Sequence, residues 1–449
     1  MRPPLLVLVL VLLTLATTTG DDALYQQGVK ALKDRKADEA IHLLQAAVDA
    51  DPRCVDCRWE LGWAYYLKAR WPQVVEQWRE VKRLDPRHPE VDRHLPGAEA
   101  LLDAEQRAAR AASSAPASTS RPATETRLRL RAVGDVMLGT SFPEGYLPPD
   151  DGAHLLDDVA PLLRDADLTF ANLEGPLCDD GSTDKCGPGE NCYAFRSPTR
   201  YGRYLKDAGI DVVSTANNHA EDFGVECRIT TEKTLQALGI AYSGRPGTVA
   251  SLNVQGLRVA LIGFHSSRTG HYLNDHATAQ TLVRGLAADH DIVIVSFHGG
   301  AEGAKQIHVP EGPEEYLGEN RGSLREFARL VIDAGADLVL GHGPHVLRGL
   351  ELYRGRLIAY SLGNFATYGR FNLSGYLGVS AVLEVELDGE GRIVAGHLLP
   401  TRQDGKGVPV RDADARGVDL VRRLSREDFK ASGVEIAQDG SLLLPVVMP

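Results

Sequence analysis

From Arg127 onward, apolar runs of strand length alternate with helical patterns, and run after run stops at side chains able to bind a metal. Residues 128–133 end in Gly134-Asp135, and 168–172 lead into Asn172-Leu173-Glu174-Gly175. Residues 212–215 open onto Asn217-Asn218-His219, with Asp222 close behind. Residues 292–297 run into His298-Gly299-Gly300-Ala301-Glu302, and 338–340 into Gly341-His342-Gly343-Pro344-His345. A chain built this way brings its polar residues to the C-terminal edge of a largely parallel sheet, where open α/β folds bind ligands. Helical patterns at 155–164, 231–238 and 324–334 fit between the strands. Hairpin-like runs at 347–353, 356–360, 379–387 and 393–399 add antiparallel strands.

Carboxylate, amide and imidazole groups form a mixed nitrogen and oxygen donor set, which suits Zn, Mn or Fe better than Ca. A bridging carboxylate can hold two such ions about 3.5–4 Å apart and activate a water between them. Each piece has a plainer reading: Gly134-Asp135 as a turn, Asn218-His219 as a helix cap, His298 as a buried histidine. Capping does not explain five strand ends in succession.

The first 126 residues have other origins. Arg2 precedes an apolar run at 5–16 and small residues at 17–20, the pattern of a secretory signal peptide over 1–20. No Cys follows that run, which argues against a lipid anchor; contact with a membrane is expected only if the segment is retained. Residues 21–107 read as an all-α module of tetratricopeptide-like repeats. Gly28 and Gly62, and Asp51-Pro52 and Asp85-Pro86, stand 34 residues apart. Such helical arrays bind proteins, and an envelope protein is the expected partner. Residues 108–126, rich in Ala, Ser, Thr and Pro, read as a flexible linker to a domain over 127–449. At its end, 418–424 looks helical and 434–446 hairpin-like, with no chemistry assigned.

Export makes disulfides the natural state of Cys54, Cys57, Cys178, Cys186, Cys192 and Cys227. The loop 178–192 can pair internally or with Cys227, and Cys54 and Cys57 have the alternative of a zinc site. A net charge of −12 argues against nucleic acid as a partner.

The segments AVGDVMLG (132–139), ANLEGPL (171–177), STANNHAEDFG (214–224), HGGAE (298–302), GADLVLGHGPHVLRGLE (335–351) and IAYSLGNF (358–365) carry a family likeness. In that order the chain resembles the CapA-like capsule-biosynthesis, or poly-γ-glutamate synthesis, proteins of the calcineurin-like metallophosphatase superfamily, over roughly 128–400. The resemblance implies a four-layer α/β/β/α sandwich holding one or two divalent transition-metal ions. It makes Asp135, Glu174, Asn218, His298 and His345 ligands, with His342 a further candidate, and His219 the proton donor beside the scissile group. Asn217, Asp222, Glu302 and Asn364, in the same segments, are candidates for holding substrate. Asp135 lacks the Asp-x-His partner common in the superfamily, Glu174 stands at a bridge usually filled by Asp, and His345 follows His342 by three positions rather than the usual two. The implied function is hydrolysis of a phosphoester or γ-glutamyl amide in an exported anionic polymer by a metal-activated water. The alternative is a non-catalytic assembly or export factor with a structural metal and partner-binding repeats.

Overall fold

The computed structural model describes residues 20–34, 36–113, 126–186 and 193–444. The expected signal segment (1–19 of it), most of the expected linker and Cys192 lie outside these residues. The described chain divides into two compact units, up to Glu99 and from Ala100.

In the first unit the helices Gly20–Lys33, Ala37–Ala50, Val55–Tyr66 and Trp71–Leu84 form two successive pairs, followed by Val91–Ser113. The 34-residue interval is physical as well as textual. A Cβ on Gly28 would fall 2.5 Å from Leu44 Cγ, and one on Gly62 would fall 2.1 Å from Trp78 Nε1. The same small-to-large contact thus recurs in each pair, because only glycine lets the second helix approach so closely. Asp51 and Asp85 then close the pairs alike, each carboxylate accepting the amide N–H two residues on, at 2.9 and 3.0 Å. Trp78 is fully buried, its indole N–H donating to Trp59 O at 3.2 Å. Cys54 and Cys57 are joined in a disulfide at the start of the third helix, so neither thiolate is available to zinc. The fifth helix continues to Ser113, into the stretch expected to be linker, where alanines of high helix propensity carry it on.

The second unit is built on two mixed sheets. In the first, Arg127–Met137, Leu168–Leu173, Val212–Ser214 and Ala241–Ser243 run parallel, and Asn364–Thr367 joins Arg127–Met137 in the same sense. Val379–Asp388, Ile393–Asp404 and Val408–Arg411 extend it as antiparallel strands. In the second, Leu257–His265, Ile292–His298, Leu338–His342 and Arg356–Ala359 are parallel, flanked by antiparallel Ala250–Val254 and Leu350–Tyr353.

Alternation along the strands decides what each face buries. Leu128, Leu130, Ala132 and Phe170 of the first sheet share one apolar cluster with Val259, Leu261, Ile292, Ile294, Leu338 and Leu340 of the second. Fully burying each such side chain contributes about 1.5–3 kcal/mol before chain entropy is set against it. The opposite face of the first sheet, with Val133, Val136, Ala171 and Val213, packs on Leu163, Tyr201, Leu205 and Leu235. On the second sheet, Phe264 and Phe297 meet Phe327 of the helix Leu324–Asp333, at 5.2 and 6.0 Å between ring centroids.

Two expectations need adjustment. The helix expected over 155–164 is confined to Ala160–Arg164, because Pro161 fits only the first turn of a helix, where no N–H is needed. The helix expected over 231–238 begins earlier and spans Gly224–Ala237.

His271, buried beside Phe264, is locked as a neutral ring: Nδ1–H donates to Gly263 O at 3.0 Å and Nε2 accepts Gly247 N–H at 3.0 Å. Burial lowers its pKa to about 4, against the Gly263 hydrogen bond and with help from the Arg228 charge. The unfolded chain takes up this proton near the ordinary histidine value and the folded chain does not. The contribution is therefore complete above about pH 6.5 and is lost as pH falls toward 4, about 3 kcal/mol in all. Denaturant melts at pH 7.5 and 5 should show the loss, and it should shrink in His271→Leu; an equal pH dependence in that variant would refute the assignment.

Candidate metal centre

Strand register assembles the site. Asp135 pairs with Asn172 on one side and Asn364 on the other, after a bulge that re-aims the end of the first strand. In the second sheet His342 stands level with His298, and His298 with His265. Gly134 makes the crossing possible: a Cβ there would lie 1.9 Å from Gly363 O.

Three ligand atoms, from Asp135, Glu174 and His345, lie within 4.8 Å of one another, and all three groups are buried or nearly so. His345 is held with φ at +61°, a conformation rare for a residue with a side chain. Its Nδ1 meets Asp135 Oδ2 at 2.9 Å and Asn364 Oδ1 at 3.1 Å. That leaves Nε2 3.6 Å from Glu174 Oε1 and 3.7 Å from Glu302 Oε2. Asp135 Oδ1 accepts from Asn172 Nδ2 at 2.8 Å and lies 3.5 Å from His342 Nδ1. Nε2 of His219 and of His298 stand 3.8 and 3.9 Å from Glu174 Oε1.

The decisive feature is what these groups lack. Neither carboxylate oxygen of Glu174, although fully buried, has a hydrogen-bond partner; nor do His298 Nε2, His342 Nε2 or Asn218 Oδ1. Burying an ionised carboxylate so is costly unless a cation compensates it. Burial pushes the Glu174 carboxyl well above the usual range. Burial also disfavours the His345 cation, yet Glu174, the bond to Asp135 and Glu302 outweigh it and raise that pKa to about 10. Asp135 is held low, since the His342 and His345 contacts overcome its burial. A pocket that protonates an imidazole to balance its carboxylates has the charge and donor chemistry of a divalent-cation site, and the orphaned atoms fit one.

His219 stands beside this cluster with its other nitrogen fixed. Nδ1 donates to Asp222 Oδ2 at 2.7 Å, and the ring packs on Phe195 at 4.3 Å. Burial lowers its pKa more than Asp222 raises it, so the neutral ring presents the Nε2 lone pair to the centre.

Of the residues expected to hold substrate, Glu302 reaches the cluster and also pairs with Arg321 at 3.1 Å. The other three are engaged inside the protein. Asn217 bonds to Leu173 O at 2.9 Å and receives His219 N–H. Asp222 also accepts from Phe195 N at 2.7 Å and Lys185 Nζ at 2.5 Å. Asn364 donates to Leu377 O at 3.1 Å while orienting His345. Asn172, Lys185 and Phe195 complete the surroundings without having been assigned a role from the sequence. Cys178 is bonded to Cys227, and Cys186 is also in a disulfide. The first bond ties the loop after Glu174 to the helix that follows the His219 segment.

A two-sheet α/β domain with a carboxylate and imidazole cluster at the C-terminal strand edge defines a candidate metal-binding protein. Residues 129–368, more than half of the chain, match the family described as "Bacterial capsule synthesis protein PGA_cap", and the chain belongs to that family. The capsule biosynthesis protein CapA of Bacillus anthracis is 26% identical over 331 residues, covering 68% of this chain and 75% of that protein. The PGA biosynthesis protein CapA of Bacillus subtilis is 28% identical over 325 residues, covering 70% and 81%. A probable polyglutamine synthesis accessory protein of Mycobacterium tuberculosis is 26% identical over 231 residues, covering 44% and 55%.

Proposed function

We propose that the chain is a metal-dependent hydrolase of the cell envelope, acting on a phosphoester or γ-glutamyl amide during synthesis, export or processing of a capsular anionic polymer. The observation that carries this reading is the buried, unpartnered Glu174 carboxylate facing His219, His298 and His345. In this reading the two sheets and their helices form a four-layer α/β/β/α metallophosphatase-like sandwich, and the helical unit is a tetratricopeptide-like module exported with it. The described disulfides suit that compartment.

Asp135, Glu174, His298 and His345 would hold one or two Mn, Zn or Fe ions, with Asn218 and His342 as further donors. When bound, such an ion supplies Lewis-acid activation of water. Asp135 and Asn364 fix the His345 ring, and Asn172 orients Asp135. His219 gives or takes a proton at Nε2, stabilised as imidazolium by Asp222, while Phe195 excludes water from one face.

Elemental analysis of the purified chain, with turnover measured on a generic phosphodiester and on poly-γ-glutamate, tests the reading. One or two transition-metal ions with turnover of either substrate are expected. His219→Ala should then lower turnover by roughly 100-fold or more with the metal retained. Metal without turnover in the unmodified protein would favour an assembly or export factor, a reading the helical repeat supports. No bound metal would defeat the hydrolase.

A further inference from the structure

In the helical unit the disulfide Cys54–Cys57 joins residues 3 apart in sequence, against 49 for Cys178–Cys227. A cross-link stabilises a fold chiefly by restricting the unfolded chain, and a shorter loop restricts it less. The repeat supplies a comparison within the same unit. Thirty-four positions before Cys54 and Cys57 stand Gly20 and Ala23, in a helix that packs through the same close glycine contact. Packing of the repeat therefore does not require the bond.

The local geometry is that of a pair built for exchange. Cys54 caps the helix Val55–Tyr66, its Sγ accepting the Cys57 N–H at 3.1 Å. When the bond opens, that N–H and the helix dipole favour negative charge on Cys54, so its sulfur leaves readily as a thiolate. The neighbouring charges, Arg53 and Asp56, are both exposed and opposite in sign, which leaves the helix terminus to set the preference. Cys57 is only 4% exposed whereas Cys54 is partly exposed, so Cys54 is the residue that another molecule can reach.

We propose that Cys54–Cys57 is a redox-active site that exchanges its disulfide with paired thiols of exported proteins. A substrate thiolate attacks Cys54 Sγ, the bond to Cys57 breaks, and Cys57 leaves as a thiolate that takes up a proton. The substrate's second thiolate then attacks its own sulfur in the mixed disulfide, and Cys54 departs as the thiolate held by the Cys57 N–H. Two electrons pass to the pair, the substrate dithiol becomes a disulfide, and the protons its thiols lose balance those the pair gains. The proposal does not rest on the hydrolase reading.

The oxidised full chain, mixed with a synthetic peptide carrying two cysteines, tests it by mass spectrometry of the peptide. One equivalent of peptide disulfide per chain should form, at least about tenfold faster than with the same concentration of glutathione disulfide. Cys57→Ser should instead trap a mixed disulfide on Cys54 when given glutathione disulfide. Alkylation of Cys54 in that variant should reach half its maximal rate below the ordinary thiol pKa of about 8.5. The double variant Cys54→Ser with Cys57→Ala keeps a capping hydroxyl; it should melt close to the parent and lose the fast exchange. Exchange no faster than that of glutathione disulfide, or undiminished in the double variant, would overturn the proposal, as would a Cys57→Ser chain that forms no adduct on Cys54.

Discussion

Glu174→Gln should abolish the proposed transition-metal binding and with it all but a residue of any turnover, an effect of roughly 100-fold or more. Gln has the same shape, so what changes is chemistry: one acceptor oxygen becomes an NH2 group, and the charge disappears. The substitution removes a carboxylate that has no hydrogen-bond partner on either oxygen. This gives the experiment a second, opposite readout. In the presence of a chelator the unmodified chain must protonate that carboxylate or balance it with the His345 cation, and the Gln variant need do neither. Its melting temperature in chelator should therefore equal or exceed that of the unmodified chain, although in added metal it should fall below it. Elemental analysis and paired melts decide the matter; an unaltered metal content in the variant would refute the role given to Glu174.

Arg348→Met should destabilise the second unit by about 3–5 kcal/mol, measurable as a shift in urea midpoint. Arg348 is fully buried and grips Glu314 with two N–H groups, at 2.9 and 2.7 Å, while Nε donates to Gln306 O at 2.8 Å. Glu314 in turn accepts the Ala301 N–H at 3.0 Å, so the pair fastens the loop that carries Glu302 toward His345. Removing only the cation leaves Glu314 charged and alone in the interior. Replacing both partners, in Arg348→Met with Glu314→Leu, should restore much of the stability, because no isolated charge remains. A single variant as stable as the parent would show that the ion pair is dispensable.

The sheet and its rim were readable because they are written in local patterns. Apolar runs that stop at Asp135, Glu174, His298 and His342 announce a strand end wherever they occur. The helical repeat was readable from a fixed interval, and Leu44 and Trp78 show why that interval holds Gly28 and Gly62. What was not readable comes from contacts without period. Lys185 reaches Asp222 from 37 residues away, and Phe195 packs on His219 from 24 residues before it. Arg348 and Glu314 meet across 34 residues of sequence, from the segment after Leu338–His342 and the short strand Glu314–Tyr316. Asn217, Asp222 and Asn364 were expected to hold substrate, yet the bonds they make inside the protein depend on partners such as Leu173 O, Phe195 N and Leu377 O that no motif specifies.

The register that levels Asp135 with Asn172 and Asn364, and His342 with His298 and His265, has a counterpart at the other end of the same strands. There the chain reverses through Gln255-Gly256 and through Glu390-Gly391, turns that supply none of the clustered donors; Asp388 Oδ1 accepts the N–H groups of Glu390 and Arg392, each at 2.9 Å, and Gln255 donates to Asp167 at 3.0 Å. One rim of the domain thus gathers the candidate ligands, while the other returns the chain through turns that carry none of them. The lower rim is the natural place to graft a tag, a tether or a surface anchor, since length added there displaces no strand from its neighbour and leaves the upper rim's geometry as it stands.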